Sequence, residues 1–161
     1  MRQDATIDFT ELETYISKEP LNPNYLTQKR DIIVRLTQPY TAVLIDAQSE
    51  NIVVPSNFCI IRVNENKILP SYLLWLLNSN RTKKKIVANV IGTSFAGIKP
   101  TFFSDLDIKL FQLSEQQKIG QLYELATKEA NLLKLISEEK QKLYKQIIDD
   151  TYKKARRGYV Q

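Results

Sequence analysis

The spacing of hydrophobic and polar positions changes near residue 68. Before it, three segments rich in β-branched and aromatic residues alternate with short polar turns, which predicts antiparallel strands at 30–36, 40–46 and 51–63. Pro55 interrupts the third segment, so an edge, a bulge or a break into two short strands is expected there. The apolar positions of residues 6–16 fit neither the two-residue period of a strand nor the 3.6-residue period of a helix, so this region is expected to be irregular or a short helix.

Helical spacing dominates the second half of the chain. Residues 68–80 have helical spacing, Pro70 suits a first helical turn, and Leu73 to Leu77 are apolar nearly all round, which predicts a buried helix packed on the sheet. Residues 81–90 predict a second helix with a basic start, and the glycines and proline of 91–102 predict a loop. Leu106, Ile108 and Leu110 then alternate with polar residues, which predicts one more short strand.

The longest predicted helix follows this strand directly. Ser114 is expected to cap it, with Gln117 completing a capping box and Glu115 facing the positive end of the helix dipole. Residues 114–155 would form a rod of about 60 Å at 1.5 Å per residue. The fold class predicted is α+β: a small, mainly antiparallel sheet with packed helices, followed by a long C-terminal helix of the coiled-coil type.

An apolar stripe runs along this helix at steps of three and four residues. We expect it to mediate helix association through Leu122, Ala126, Leu133, Ile136, Leu143 and Ile147. A stripe longer than its own domain favours contact with another chain or another helix. The alternative is a helix that folds back over its own sheet.

Composition excludes several function classes. The 161 residues, 43% of them hydrophobic and 25% charged, are typical of a water-soluble domain, and no apolar run suits a membrane span or a secretory signal, so a cytoplasmic location is expected. Histidine is absent, and the four glycines lack the spacing of a nucleotide-binding loop, so neither a cofactor nor a metal is predicted. Cys59 is interpreted as a small buried hydrophobic residue rather than a reactive thiol.

Catalysis has little support in the sequence. Asp105 and Asp107 lie on one face of the predicted strand and could join Asp46 or Glu115 around a metal ion. Solvated carboxylates beside a helix start are the favoured interpretation, and the chain is predicted not to be an enzyme.

Positive charge is concentrated in the middle and the tail. The net charge of +5 divides into −3 for residues 1–50, +5 for 51–113 and +3 for 114–161. This distribution favours a polyanionic partner for the later parts of the chain.

Several blocks in succession resemble the specificity subunit of type I restriction-modification systems. They are YLTQKRDIIVRL, VVPSNFCIIRV, ILPSYLLWLLNS, GTSFAGIKPTFFSDLDIKLFQLSEQQKI and YKKARRGYV, and together they cover most of the chain from Tyr25 onward. The most specific is a Leu-x-Ile strand followed by Glu-Gln-x-x-Ile at the start of a spacer helix, here Leu106, Ile108, Glu115, Gln116 and Ile119.

The resemblance implies a mechanism and partners. Such a subunit reads half of a bipartite site in double-stranded DNA with each recognition domain, while its helices pair antiparallel and fix the distance between the halves. It also binds the methylation and restriction subunits of the same system. The chain is then expected to form a homodimer, or to pair with another specificity half through its long helix.

This sequence departs from the family pattern at three points. Arg30 stands where the family usually has glycine, so a differently built turn is expected, and Phe111 replaces a common proline. The chain also holds one long helix and only the later part of one recognition domain, as in a half-subunit or fragment. The predicted division is a partial DNA-binding domain at 1–113, a spacer and dimerisation helix at 114–157 and a tail at 158–161.

Three groups of residues are candidates for DNA contact. Cations bind phosphates, and forked or aromatic side chains read base edges, so we select one basic cluster, one turn and one glycine-flanked loop. The candidates are Arg81, Lys83, Lys84 and Lys85 in the cluster, Arg35, Gln38 and Tyr40 around the turn, and Thr93, Ser94 and Lys99 in the loop. Each group has a purely structural alternative: a solvated face, a polar turn, and a loop whose Phe95 is a core anchor. The competing function is a protein-interaction adaptor that does not bind DNA and acts through its long helix.

Overall fold

The computed structural model describes residues 6–7, 9–14, 16–91 and 97–158. Its strands and helices, in chain order, are β1 (Ile32–Arg35), β2 (Ala42–Leu44), β3 (Phe58–Ile61), α1 (Pro70–Asn78), α2 (Asn80–Val90), α3 (Thr101–Ser104) and α4 (Leu113–Gly158). Short 3-10 turns at Phe9–Glu11, Pro23–Tyr25 and Ala47–Ser49 complete the set. The chain divides into two compact units, Met1–Tyr123 and Glu124–Gln161.

The sheet has three antiparallel strands in the order β2-β1-β3. Ile33 pairs with Val43 on one side and with Ile60 on the other, so β1 is the central strand. The prediction of a small antiparallel sheet is confirmed. Pro55 separates β3 from an isolated bridge between Leu26 and Val53, so the predicted third segment is broken at the proline and forms one short strand after it.

Helix α1 covers one face of this sheet. Ile32 and Val34 project from β1 into a core that includes Leu73 and Leu77, and all four are at most 3% exposed. Pro70 begins the helix, where its missing N–H costs nothing. Both predicted helices, α1 and α2, are therefore confirmed, although the predicted loop at 91–102 ends in α3, which begins at Thr101.

The predicted strand at Leu106 to Leu110 is wrong. Residues 106–112 form no strand ladder, although Leu106 and Ile108 do pack against the core while their neighbours are exposed. Alternating burial therefore arose without strand pairing, because one side of the segment packs against the core. The hydroxyl of Tyr72 donates a hydrogen bond to the carbonyl of Lys109 at 2.8 Å, and burial raises the pKa of Tyr72, so the donor stays protonated.

The predicted capping box of α4 is also wrong. The helix begins at Leu113, one residue before the expected cap, and both Ser114 and Gln117 are exposed. Gln116 is instead fully buried: its amide donates to the carbonyls of Lys67 and Phe111 at 3.0 and 2.8 Å and accepts from the backbone N–H of Leu69 at 2.8 Å. One side chain thus fixes the start of α4 to the segment that leads into α1.

Gly120 permits a close approach between α4 and α1. A Cβ atom at this position would lie 2.7 Å from the Cβ atom of Ser71, closer than such atoms pack. Ile119 is half-buried and Tyr123 packs against the core, so these first turns of α4 belong to the first unit.

Arg30 does not require a differently built turn. Its φ is 72°, the left-handed conformation that glycine adopts without steric cost, and its N–H donates to the carbonyl of Ile45 at 2.9 Å. The guanidinium also pairs with Glu65 at 2.6 Å on the surface. The arginine therefore takes the conformation for which glycine is normally used.

The second unit consists of the rest of α4, and its apolar residues face solvent. Leu133, Ile136, Leu143 and Ile147 are each between 51% and 60% exposed. Leu125, Leu132, Leu135 and Ile148, which the predicted stripe omitted, are also exposed. Within the described ranges, every helix is too short or too polar to cross a bilayer.

Candidate nucleic-acid interface

The start of α2 is held beside the β1–β2 turn by one amide side chain. Asn78 donates from Nδ2 to the carbonyl of Ala42 at 2.9 Å and accepts from the Ala42 N–H at 3.0 Å. Ser79 follows as the N-cap of α2 and accepts from the backbone N–H of Thr82 at 3.3 Å. Residues 78 and 79 therefore fix where the basic helix begins.

The structure brings the turn and the basic helix together. Gln38, Pro39 and Tyr40 line one surface depression with Lys83 and Val87 of α2. Gln38 is exposed, whereas Tyr40 is only 5% exposed and packs in the core cluster with Ile86. The depression thus brings together an amide and an ammonium group, the chemical types that can contact base edges and phosphates, and the largely buried Tyr40 also lines it.

A second groove lies beside Lys85. It has a volume of about 560 Å³ and is lined by Lys85 and Lys99 together with Asp105 and Asp107. The two carboxylates are exposed and share the groove with the two ammonium groups, so its charge is mixed. In the described ranges no cluster of three potential metal ligands occurs, so the aspartates show no metal-binding arrangement.

The remaining candidates do not line these two depressions. Arg81 and Lys84 are exposed on α2. The guanidinium of Arg35 lies over the ring of Phe58 at 5.5 Å, and Phe58 lines a different groove with Ile33. Thr93, Ser94 and Phe95 lie outside the described residues.

Sequence reasoning missed the ion pair that supports β1. Asp31 is 3% exposed and accepts hydrogen bonds from Nε and Nη2 of Arg62 at 2.9 and 3.0 Å. A second donation from Nη2 of Arg62 reaches the carbonyl of Leu26 at 2.8 Å. The two charged residues are 31 positions apart, so no local pattern could have revealed this bidentate contact.

The surroundings of Cys59 favour a packing role over a reactive thiol. It lies in β3, is half-buried, and burial raises the pKa of its thiol. A raised pKa reduces the fraction of reactive thiolate at neutral pH, and the side chain packs against the core cluster that contains Leu36 and Ile86.

Comparison with known proteins identifies the fold. Neither a scan of protein-family models nor a search of curated proteins gave a match. A solved structure of the HsdS subunit from Thermoanaerobacter tengcongensis matches with a TM-score of 0.58 and 23% identity over 73% of this chain. The chain has the fold of part of an HsdS subunit.

A second solved structure gives the same result. It comes from work on complex assembly and conformational transition of the type I R-M system, with a TM-score of 0.60 and 23% identity over 73% of this chain. The chain spans 31% of the length of each of the two proteins. These matches confirm the predicted α+β fold class and, for the fold, the resemblance noted in the sequence.

Proposed function

We propose that this chain is a DNA sequence-recognition (specificity) subunit, or half of one, in a type I restriction-modification system. It would read one half of a bipartite site and serve as a scaffold for the methylation and restriction subunits. The observation that carries the proposal is the meeting of Gln38 and Lys83 in one depression of an HsdS-like fold. In this proposal residues 1–113 bind DNA, 114–157 form the spacer and 158–161 the tail.

Each part of this surface has a distinct role in DNA binding. The ammonium groups of the α2 lysines bind phosphates. These contacts position the protein on the DNA but do not read its sequence. Gln38 reaches a base edge, where an amide donates and accepts at once and so distinguishes adenine. Lys99 and Lys85 hold the backbone at the second groove, while Asp105 and Asp107 repel phosphate and limit how far the duplex can shift.

Two hydrogen-bonded amide side chains give this surface its rigidity. Asn78 fixes the start of α2 to β2, and Gln116 fixes the start of α4 to the segment before α1. A rigid platform holds Gln38 and Lys83 in one arrangement, and specific readout requires such preorganisation.

Salt dependence of DNA binding tests the phosphate contacts. We expect Lys83→Gln and Lys85→Gln each to weaken binding to all duplexes and to lower the salt slope by about one. Lys128→Gln, in the second unit, removes the same charge and serves as the control. If Lys83→Gln and Lys85→Gln behave like Lys128→Gln in fluorescence anisotropy titrations, α2 does not bind phosphate and the proposal loses its support.

Sequence selection tests the readout. A pool of randomised duplexes selected on the chain, in complex with its methylation subunit, should yield a preferred half-site. Gln38→Ala should relax the preference at one base pair by about 1–3 kcal/mol while leaving nonspecific affinity unchanged. Selection that yields no preferred sequence would contradict a specificity role.

The exposed face of α4 supports a second candidate function, a protein-interaction adaptor. Large apolar side chains exposed along a helix favour a protein partner whether or not DNA is bound. In that case Arg35, Gln38 and Lys99 would tolerate alanine without loss of function, which separates the two candidates.

A further inference from the structure

Two charged residues lie within the apolar face of α4. Glu129 follows Leu122 by one heptad, and Lys140 follows Leu122 by about five full turns, so both project on the same side as the leucines. Both residues are exposed in the single chain. Charges in the middle of an association face weaken it unless each meets an opposite charge.

Neither charge has an opposite charge within reach on its own helix. The positions three and four residues away from Glu129 and from Lys140 are all uncharged. Elsewhere on α4, off this face, an acid and a base do pair at that spacing, as in Glu139–Lys142. The two charges in the apolar face therefore differ from those on the solvated faces.

The six predicted association residues together with Glu129 and Lys140 form a row of eight positions, here called the seam. These eight positions are complementary to themselves when their order is reversed. In an antiparallel heptad pair, each a position faces a d position of the other helix, and the two residue numbers of every layer have the same sum. With Glu129 opposite Lys140, the remaining layers match the predicted association residues to one another. The layers are Leu122 with Ile147, Ala126 with Leu143, Glu129 with Lys140 and Leu133 with Ile136.

Other arrangements leave these charges without partners. A shift of one heptad places Glu129 against Leu133 or Ile147, and Lys140 against Leu122 or Ile136. A parallel pair in register places Glu129 against Glu129 and Lys140 against Lys140. Within residues 122–147, one antiparallel register therefore avoids buried unpaired charge and like-charge contact.

We propose that Glu129 and Lys140 form reciprocal ion pairs between two copies of this chain and so select one antiparallel register of α4. The inference rests on the spacer role of α4 in the proposed function and does not depend on DNA reading. It deepens that function because the register sets the distance between the two recognition units.

Charge reversal tests the pair. Glu129→Lys and Lys140→Glu should each raise the dimer dissociation constant at least about tenfold, measured by sedimentation of the full chain across concentration. The combined Glu129→Lys/Lys140→Glu variant should return to within a few-fold of the parent, and an equal mixture of the two single variants should associate as a heterodimer. Glu138→Lys, on the opposite face, is the matched control. Single variants that dimerise like this control would overturn the pair.

A distance measurement tests the register. Gln141→Cys in a Cys59→Ala background carries a spin label outside the seam. The proposed register separates the two labels by about 20 Å along the axis, each neighbouring antiparallel register changes this by about 10 Å, and a parallel pair brings it near zero. A different separation, or a chain that stays monomeric at every concentration, would overturn the inference and leave the DNA-binding test unaffected.

Discussion

The first unit and the distal part of α4 use similar apolar residues in opposite ways. Leu73 and Leu77 of α1 are 3% and 2% exposed, whereas Leu133 and Ile136 of α4 are 60% and 52% exposed. The first unit buries its apolar surface inside the chain, whereas the second leaves its apolar side chains exposed. The comparison shows that an apolar helical pattern alone does not reveal whether its partner is internal or external.

The largest effect should come from a charge in the exposed seam. Leu133→Asp places an unpaired carboxylate in an otherwise apolar layer, so we expect self-association to weaken by about 4 kcal/mol, roughly a thousandfold. Sedimentation measures the change, and circular dichroism should show the first unit folded as before. Asn131→Asp adds the same acid on the opposite face and should leave association unchanged. Equal association of the two variants would show that the seam stays exposed.

The next effect should come from the buried amide of the first unit. Gln116→Ala leaves the carbonyls of Lys67 and Phe111 and the N–H of Leu69 without the partner they have now, so the free energy of unfolding should fall by about 3 kcal/mol. Denaturant unfolding measures this change. The exposed Gln117→Ala is the control, and similar losses in both variants would show that Gln116 is not an anchor.

The smallest effect is expected from replacing one glycine by alanine in each of the two units. Gly120→Ala forces a methyl group against Ser71 and should destabilise the first unit by about 1–2 kcal/mol. Gly158→Ala meets no atom within 4 Å and should leave stability unchanged or slightly raised. Thermal unfolding of both variants is the measurement, and a neutral Gly120→Ala would indicate that α4 can move away from α1 without cost.

Local patterns predicted the elements that local forces determine. Strands β1 and β2, the break at Pro55 and the first turn at Pro70 follow from β-branched content and proline chemistry, and all four occur in the structure. Alternation at Leu106 and Ile108 misled the prediction because alternating burial needs only a core on one side, whereas a strand also needs a backbone partner. A sequence window records the former and contains no information on the latter.

The contacts that position the candidate site join distant parts of the chain. Asn78 meets Ala42, Arg62 meets Asp31, and Gln116 meets Lys67 and Leu69. Gln116 belongs to the motif behind the family resemblance, yet the capping rule selected Gln117, because helix-start rules consider the helix and not the segment that packs beside it. The proximity of Gln38 and Lys83 likewise depends on the fold and was not predictable from either segment.

The contact between Asn78 and Ala42 also bears on aggregation. β2 is an edge strand, and such a strand presents backbone donors and acceptors that can recruit a strand from another molecule. The side-chain amide of Asn78 hydrogen-bonds both the N–H and the carbonyl of Ala42. These two backbone groups are therefore not available to a strand from another molecule. Strand addition at this position is blocked, and growth of the sheet into intermolecular fibrils is disfavoured on the β2 side.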